Sequence, residues 1–180
     1  LGTVLLPRAS YYVQQGKMEE FRKISRKALN FVVVAAVPMT LYFIFFARQG
    51  ILLLSGEEYL GAVAPMQLIM PTLLFIGLTN ILGIQILVPT GREKVVLYSV
   101  IVGALTDVIC NLVLIPKYLA AGAALSNMIA EAAVLVFQTV VLRKEVLSAF
   151  RSICFWKVGA GLLAGTAASL WVAGLGLGSF

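Results

Sequence analysis

The chain has 180 residues, of which 61% are hydrophobic and 12% are charged, and its net charge at neutral pH is +6. Its mean hydropathy is +0.98, whereas soluble domains are about 45–50% apolar and about 25% charged. A water-soluble fold of this size cannot bury so much apolar surface, but helices in a bilayer can be apolar on nearly every side. The composition therefore predicts an all-α, polytopic transmembrane helical bundle and excludes a soluble domain.

The residues that most enzymes need for catalysis are missing from the sequence. There is no histidine, and the two cysteines, Cys110 and Cys154, lie in or beside apolar segments without the spacing of metal ligands. The sequence also has no glycine-rich phosphate loop and no nucleophile beside a base. We predict a protein that is not an enzyme and that uses no cofactor and no metal.

The beginning of the chain predicts the end of one helix followed by a basic segment. Residues 1–6 are apolar but too short to span a membrane, and Pro7 is expected to end this partial helix. Because the chain has no initiator Met and no recognisable signal peptide, we expect a fragment of a longer protein. Residues 8–29 are rich in Lys and Arg, with Phe21 and Ile24 near helical spacing, which predicts an amphipathic cytoplasmic segment at the lipid headgroups. A solvated loop is the alternative.

The rest of the chain contains the segments that we predict to cross the membrane. Each has about the 20 residues that a hydrocarbon core of about 30 Å requires. They cover approximately residues 31–47, 62–88, 95–115, 120–142 and 158–177. We interpret residues 1–180 as a single membrane domain with five spans.

The distribution of Lys and Arg predicts how these spans are oriented. When connections are assigned alternately to the two sides, 12 of the 14 Lys and Arg residues fall on one side, and only Arg48 and Lys117 fall on the other. Cytoplasmic connections are the ones enriched in positive charge, so residues 8–29, 90–94 and 143–157 are predicted to be cytoplasmic. Orientation and anionic headgroups explain these basic loops better than nucleic acid does.

Two ionisable residues lie inside predicted spans, where a charged group costs about 2.5–3.5 kcal/mol on insertion scales. Asp107 lies in the middle of the third span and Glu131 lies in the fourth. Ser99 and Gly103 precede Asp107 at four-residue spacing, and Asn111 follows it at the same spacing. This small, polar stripe lies on one side of a helix, and we predict that it does not face lipid.

Polar residues also share one side of the second and fourth spans. Asn127, Glu131 and Gln138 recur at steps of four and seven residues, and Thr79 and Asn80 occur in the second span. The candidates for a cavity or substrate path are Asp107, Asn111, Glu131, Asn127 and Asn80. Such side chains could line a hydrated cavity that takes up protons or cations or binds sugar hydroxyls. They could instead be neutral or paired groups that hold helices together.

Specific strings indicate a family. The first ten residues end a helix in a Pro-x-x-Ser pattern, from Pro7 to Ser10. Further on, the sequence has Asp107, Asn111, Leu114-Ile115-Pro116, Tyr118, Gly122-Ala123-Ala124 and Glu131. This order resembles the Asn-x3-Asn-x2-Leu-Ile-Pro-x-Tyr, Gly-Ala-Ala, Glu pattern of bacterial polysaccharide and O-antigen flippases. Asp107 departs from the pattern, which has Asn at that position.

The resemblance implies the second half of a transporter with 12–14 helices, in the superfamily that also contains multidrug exporters and the lipid II flippase. Such a protein would flip an undecaprenyl-diphosphate-linked oligosaccharide across the bacterial cytoplasmic (inner) membrane for cell-surface polysaccharide biosynthesis. It would work by alternating access, break no bond of its substrate, and use protons or sodium as a possible coupling ion. Its partners would be the lipid bilayer, the lipid-linked oligosaccharide and the missing N-terminal half of the same chain.

Two alternatives to this interpretation stay open. One is a multidrug or lipid II exporter of the same superfamily, and the other is a non-transporting scaffold of envelope assembly. Basic residues at the predicted cytoplasmic side could attract a diphosphate or lipid headgroups, although orientation alone is sufficient to explain them. These candidates are Arg8, Arg22, Lys23, Arg26 and Lys27.

Overall fold

The computed structural model describes residues 2–143 and Gly159. The predicted fifth span and the predicted connection beyond Arg143 lie outside these described residues, apart from Gly159. Within residues 2–143 every regular element is helical. The elements are α1 (Gly2–Gln14), α2 (Met18–Phe45), α3 (Ala47–Ser55), a 3₁₀ helix (Glu57–Ala62), α4 (Val63–Ile69), α5 (Thr72–Asn80), a π-helix (Ile81–Leu87) and α6 (Glu93–Val141).

The chain is an all-α membrane protein. In the described part of the chain, three helical stretches are long and apolar enough to cross a bilayer, namely Met18–Phe45, Glu57–Leu87 and Glu93–Val141. Hydrocarbon offers no partner for backbone N–H and C=O groups, so a spanning segment must pair them within itself. Apolar runs of this length therefore form helices whatever their local propensities.

The first two helices differ from the sequence prediction. Pro7 does not end α1, which continues to Gln14, because a proline removes only one backbone hydrogen bond and the rest of the helix supplies the others. The chain then turns at Gly16, whose φ of +68° suits a residue without a side chain. Because α2 begins at Met18 and runs without interruption to Phe45, the basic segment forms two helix ends and not a separate surface helix.

The second stretch is broken into short helices. Pro71 separates α4 from α5, as expected for a residue that cannot donate to the preceding turn. The π-helix then follows α5 directly and is almost entirely buried. Gly91, with a φ of +73°, lies in the turn that leads to α6.

Helix α6 reverses its direction at Leu119 and is two antiparallel helices, residues 93–118 and residues 120–141. Leu119 has φ 50° and ψ −126°, a conformation that residues other than glycine rarely adopt. Ser99 contacts Gln138 through a side-chain hydrogen bond of 3.0 Å, and Gly122 lies against the backbone of Leu114. Contacts that pair early residues with late ones are those of a hairpin, and the reversal falls between the third and fourth predicted spans.

Glycines allow the two halves of α6 to approach closely. A Cβ atom at Gly122 would collide with the backbone carbonyl of Leu114, and a Cβ atom at Gly103 would collide with the side chain of Val134. Membrane helices associate mainly through such close contacts between small residues, because lipid provides little hydrophobic drive between them. The hairpin therefore depends on the absence of side chains at these two positions.

A hydrophobic core joins α1, α2, α5, the π-helix and the C-terminal end of α6. Its fully buried members include Leu82 and Leu87 of the π-helix and Leu142 just beyond α6. The core also contains Ala9, Phe21, Ala28, Leu29, Val33, Leu78, Ile81 and Ile86. This core fixes the helices at the end of the molecule that carries most of the described basic residues.

We expect Gly122→Ala in the full-length protein to lower the free energy of unfolding by about 1–3 kcal/mol, because the new methyl group meets backbone atoms that cannot move aside. Gly50→Ala is the matched control, since Gly50 lies in α3 and nothing lies within 4 Å of its added Cβ. The free energy of unfolding of that control should rise by about 0.5–1 kcal/mol, because alanine favours a helix more than glycine does. Denaturant unfolding in detergent measures both, and equal effects would contradict the close contact.

We expect Lys94 and Lys117 to lie on opposite sides of the membrane. They are at the two ends of the first half of α6, which at 1.5 Å per residue separates them by about 35 Å. Lys94→Cys and Lys117→Cys, each in a background without Cys110 and Cys154, should react with an impermeant thiol reagent from the cytoplasmic and the outer side, respectively. Labelling of both from the same side would contradict the orientation.

Candidate substrate cavity

A cavity of about 410 Å³ lies between α5, the π-helix and the two halves of α6. Its volume is within the roughly 300–1,000 Å³ that small-ligand sites occupy. Aliphatic residues, alanine and glycine form much of its wall. The polar residues that line it are Thr79, Asn80, Asp107, Asn127, Glu131 and Gln138.

Two carboxyl groups face this cavity from opposite halves of the hairpin, Asp107 from the first and Glu131 from the second. Both residues are half-buried. One oxygen of Asp107, Oδ1, is buried without a hydrogen-bond partner in the described part of the chain. Among the described residues that line it, none is Lys or Arg, so this lining attracts cations and hydrogen-bond donors and repels anions.

The amide side chains add further hydrogen-bond acceptors. Asn80 donates its Nδ2 proton to the carbonyl oxygen of Ile76 at 3.0 Å, which holds the side chain against its own helix. Thr79 donates to the same carbonyl oxygen at 3.1 Å. Because these bonds use donors, the side-chain oxygens remain as acceptors, and the cavity offers more acceptors than donors.

Gln138, which lines the cavity, takes part in a contact between three helical segments. Gln138 is 2% exposed and Ser99 is fully buried, and Nε2 of Gln138 donates to Oγ of Ser99 at 3.0 Å. Gly83 of the π-helix lies beside this pair, since a Cβ atom there would be 3.2 Å from Nε2 of Gln138. A side chain at Gly83 would press on the buried amide.

The structure brings four of the five predicted cavity residues to one space. Asp107, Glu131, Asn127 and Asn80 all line the cavity, although they come from different helices. Asn111 does not line it. It lies one turn beyond Asp107, and its Oδ1 is buried without a hydrogen-bond partner among the described residues.

The predicted diphosphate or headgroup residues lie elsewhere, on α1 and the first turns of α2, and none of them lines the cavity. Four are exposed, and Arg26 is half-buried. Arg22 forms an exposed ion pair of 3.4 Å with Glu19, which contributes little to stability. These residues are Arg8, Arg22, Lys23, Arg26 and Lys27.

Sequence reasoning gave Ser99 and Gln138 as polar members of helix faces but did not select them as site residues. The available signal was their spacing: Ser99 is eight residues, or two steps of four, before Asp107, and Gln138 is seven residues after Glu131. Within the described residues, no group of three or more His, Cys, Asp or Glu side chains is arranged to hold a metal ion.

Comparison with known proteins identifies the family. The family described as lipid II flippase MurJ matches the chain over residues 1–180. The chain belongs to this family. The lipid II flippase was the alternative within the superfamily that the sequence motifs indicated, and the finer resemblance to polysaccharide and O-antigen flippases is not confirmed by this match.

A further comparison finds a related membrane protein. The chain is 26% identical over 144 residues to an uncharacterized membrane protein of Methanocaldococcus jannaschii, a match that covers 80% of this chain. The match covers 28% of that relative's length. No solved structure matches this member of the lipid II flippase family significantly.

We expect Ser99→Ala to lower the free energy of unfolding by about 1–3 kcal/mol, because it leaves the buried Nε2 of Gln138 without an acceptor. In a double-mutant cycle with Gln138→Leu, the combined loss should be smaller than the sum by about 0.5–1.5 kcal/mol. Thr106→Val is the control, since Thr106 donates only to Val102 of its own helix, at 2.8 Å. Additive losses would show that the two side chains act independently.

Proposed function

We propose that the protein is a flippase that carries a lipid-linked saccharide precursor across the cytoplasmic membrane, and that lipid II is its substrate. The acceptor-lined cavity between membrane-crossing helices is the observation that carries the proposal. Asp107 and Glu131 line that cavity in an otherwise apolar helical protein, and intramembrane carboxyl groups usually mark a transport path. Membership of the lipid II flippase family supports the choice of substrate.

A flippase must lower the cost of moving a polar headgroup through hydrocarbon. Hydroxyl and amide groups lose hydrogen bonds to water on entering an apolar phase, which costs several kcal/mol per group, roughly 4–8 without any partner. A cavity lined with acceptors replaces some of those bonds along the path. The described helices form one wall of such a path, and alternating access between two helical bundles would expose it to each side in turn.

The charge distribution supports separate positions for the two polar parts of the substrate. Diphosphate is anionic and is repelled by a cavity that contains Asp107 and Glu131. The basic residues of α1 and α2, such as Arg8 and Lys27, are exposed and can attract a diphosphate or lipid headgroups at the cytoplasmic surface. The saccharide is the part that fits the cavity.

A second candidate substrate is an undecaprenyl-diphosphate-linked oligosaccharide for surface polysaccharide. The motif of Leu114-Ile115-Pro116, Tyr118 and Glu131 favours it, because that order resembles the flippases of such oligosaccharides. A non-transporting scaffold is a weaker candidate, since it has no use for carboxyl groups around an open cavity. The proposed location is the bacterial inner membrane, where the remainder of a longer chain would complete the transporter.

Asp107 and Glu131 could also bind a coupling ion. Two carboxyl groups in one cavity without a neighbouring Lys or Arg lining it attract a proton or a sodium ion. Uptake of that ion would reduce their mutual repulsion and so could be linked to a change between the two states of the transporter.

We expect Asp107→Leu in the full-length protein to lower the flipping rate about tenfold or more without abolishing membrane insertion. A hydrogen bond to a charged group contributes roughly 1.5–3 kcal/mol, and about 1.4 kcal/mol corresponds to a factor of ten. The measurement is flipping of lipid II and of an undecaprenyl-diphosphate-linked oligosaccharide in proteoliposomes, with lipid II moved faster by the wild type.

The matched control is Val108→Leu, because Val108 is exposed and does not line the cavity, and it should flip at the wild-type rate. Asp107→Asn should lose less than Asp107→Leu, because it keeps a short polar group. Normal flipping by Asp107→Leu would refute the cavity assignment. Failure of the wild type to flip either lipid would refute the proposed function.

A further inference from the structure

Gln138 has one amide end whose role the helix packing does not explain. The residue is 2% exposed and lines the cavity together with Asp107 and Glu131. Its Nε2 is used in the 3.0 Å hydrogen bond to Ser99. Its Oε1 is buried and has no hydrogen-bond partner within the described residues.

The orientation of this amide is set by the hydroxyl group of Ser99. Oγ of Ser99 donates its single proton to the carbonyl oxygen of Val96 at 2.7 Å, so towards Gln138 it can only accept. An acceptor at Ser99 requires the NH₂ end of Gln138 to face it. In this arrangement the carbonyl end of Gln138 points away from Ser99.

A buried amide oxygen without a donor is uncommon, because burial removes its hydrogen bonds to water and nothing replaces them. The neighbouring backbone preserves space around it. A Cβ atom at Gly83 would lie 3.6 Å from Oε1 and 3.2 Å from Nε2 of Gln138. Gly83 belongs to the π-helix, and π-helical turns inside helices occur frequently at functional sites.

The chemistry of the cavity indicates which kind of group can donate a hydrogen bond to Oε1 of Gln138. Asp107, Glu131 and Gln138 bring acceptors to the cavity from both halves of α6. A diphosphate carries acceptors and negative charge, so it cannot satisfy them. A saccharide carries many hydroxyl and amide donors, and the cavity volume of about 410 Å³ is in the range of small organic ligands and much larger than a single ion needs.

We propose that Gln138 is a specificity-determining residue whose Oε1 accepts a hydrogen bond from a hydroxyl or amide group of the saccharide carried by the transported lipid. Ser99 is a positioning residue, since it holds the amide with its oxygen free. Gly83 keeps the adjacent space open. This inference rests on the proposed function and adds the part of the substrate that the cavity recognises.

The test uses the full-length protein in proteoliposomes and compares Gln138→Met with Ser99→Ala. Both variants break the same helix contact, but Ser99→Ala keeps the amide oxygen and Gln138→Met removes it at similar side-chain volume. For a polyprenyl-diphosphate-linked disaccharide, we expect Gln138→Met to raise KM about threefold to tenfold with kcat unchanged, as the loss of one hydrogen bond predicts. Ser99→Ala keeps the amide oxygen but frees the amide to rotate, so it should raise KM by less than Gln138→Met does.

A second measurement separates recognition from structure. The dissociation constant of polyprenyl diphosphate without any saccharide is measured for both variants by competition against the same lipid-linked disaccharide. It should be unchanged by Gln138→Met, because that lipid offers no donor to Oε1. Equal effects of the two variants on KM, or equal weakening of both lipids by Gln138→Met, would overturn the inference and leave Gln138 with a purely structural role.

The two hypotheses fail in different ways. A wild-type protein that flips no lipid-linked saccharide contradicts the proposed function itself. A wild-type protein that flips the disaccharide lipid, together with a Gln138→Met variant that has wild-type KM, contradicts only the role of Gln138. Thermal unfolding of each variant in detergent is the control for folding, and KM is compared at a temperature at which both variants are fully folded.

Discussion

The close antiparallel packing of the two halves of α6 is the contact on which the rest of the described structure depends. Gly122 against Leu114 and Gly103 against Val134 bring the two helix axes together, and lipid alone would not hold them there. The hydrogen bond between Ser99 and Gln138 forms at the other end of this hairpin. Every polar residue that α6 contributes to the cavity is placed by this packing.

Charge separation is the second constraint on function. Acidic and amide side chains line the cavity, whereas the basic residues on α1 and α2 lie outside it. A substrate with a neutral, hydroxyl-rich part and an anionic part meets both environments, and each environment disfavours the other part. In the proposed flippase, this separation would orient the headgroup before any movement of the helix bundles.

The sequence predicted the helical class and the polar helix faces, because bilayer length and hydropathy leave few alternatives. The sequence did not predict which of these polar residues lies outside the cavity, namely Asn111. Asn111 lies only about 40° around the helix from Asp107, so it is on nearly the same side. It is one turn nearer the reversal at Leu119, and the residues of the first half of α6 that line the cavity extend only from Val96 to Asp107. The end of α1 was predicted wrongly, since one proline does not stop a helix that is otherwise paired. The π-helix was not predicted, because no residue type indicates one. The substrate was not predicted either, because motifs shared across a superfamily occur in transporters of several substrate classes.

The reversal at Leu119 has a consequence for how the chain enters the membrane during its synthesis. Almost no polar chain separates the two crossing segments of α6, so the segment that carries Asp107 and the segment that carries Glu131 can enter the bilayer together as a preformed hairpin. Entering singly, each would bring a carboxyl group into hydrocarbon at a cost of about 2.5–3.5 kcal/mol. Entering as a pair, each helix covers part of the acidic side of the other, and α5 and the π-helix line the rest of the cavity. The tight turn thus makes the acidic cavity compatible with membrane insertion.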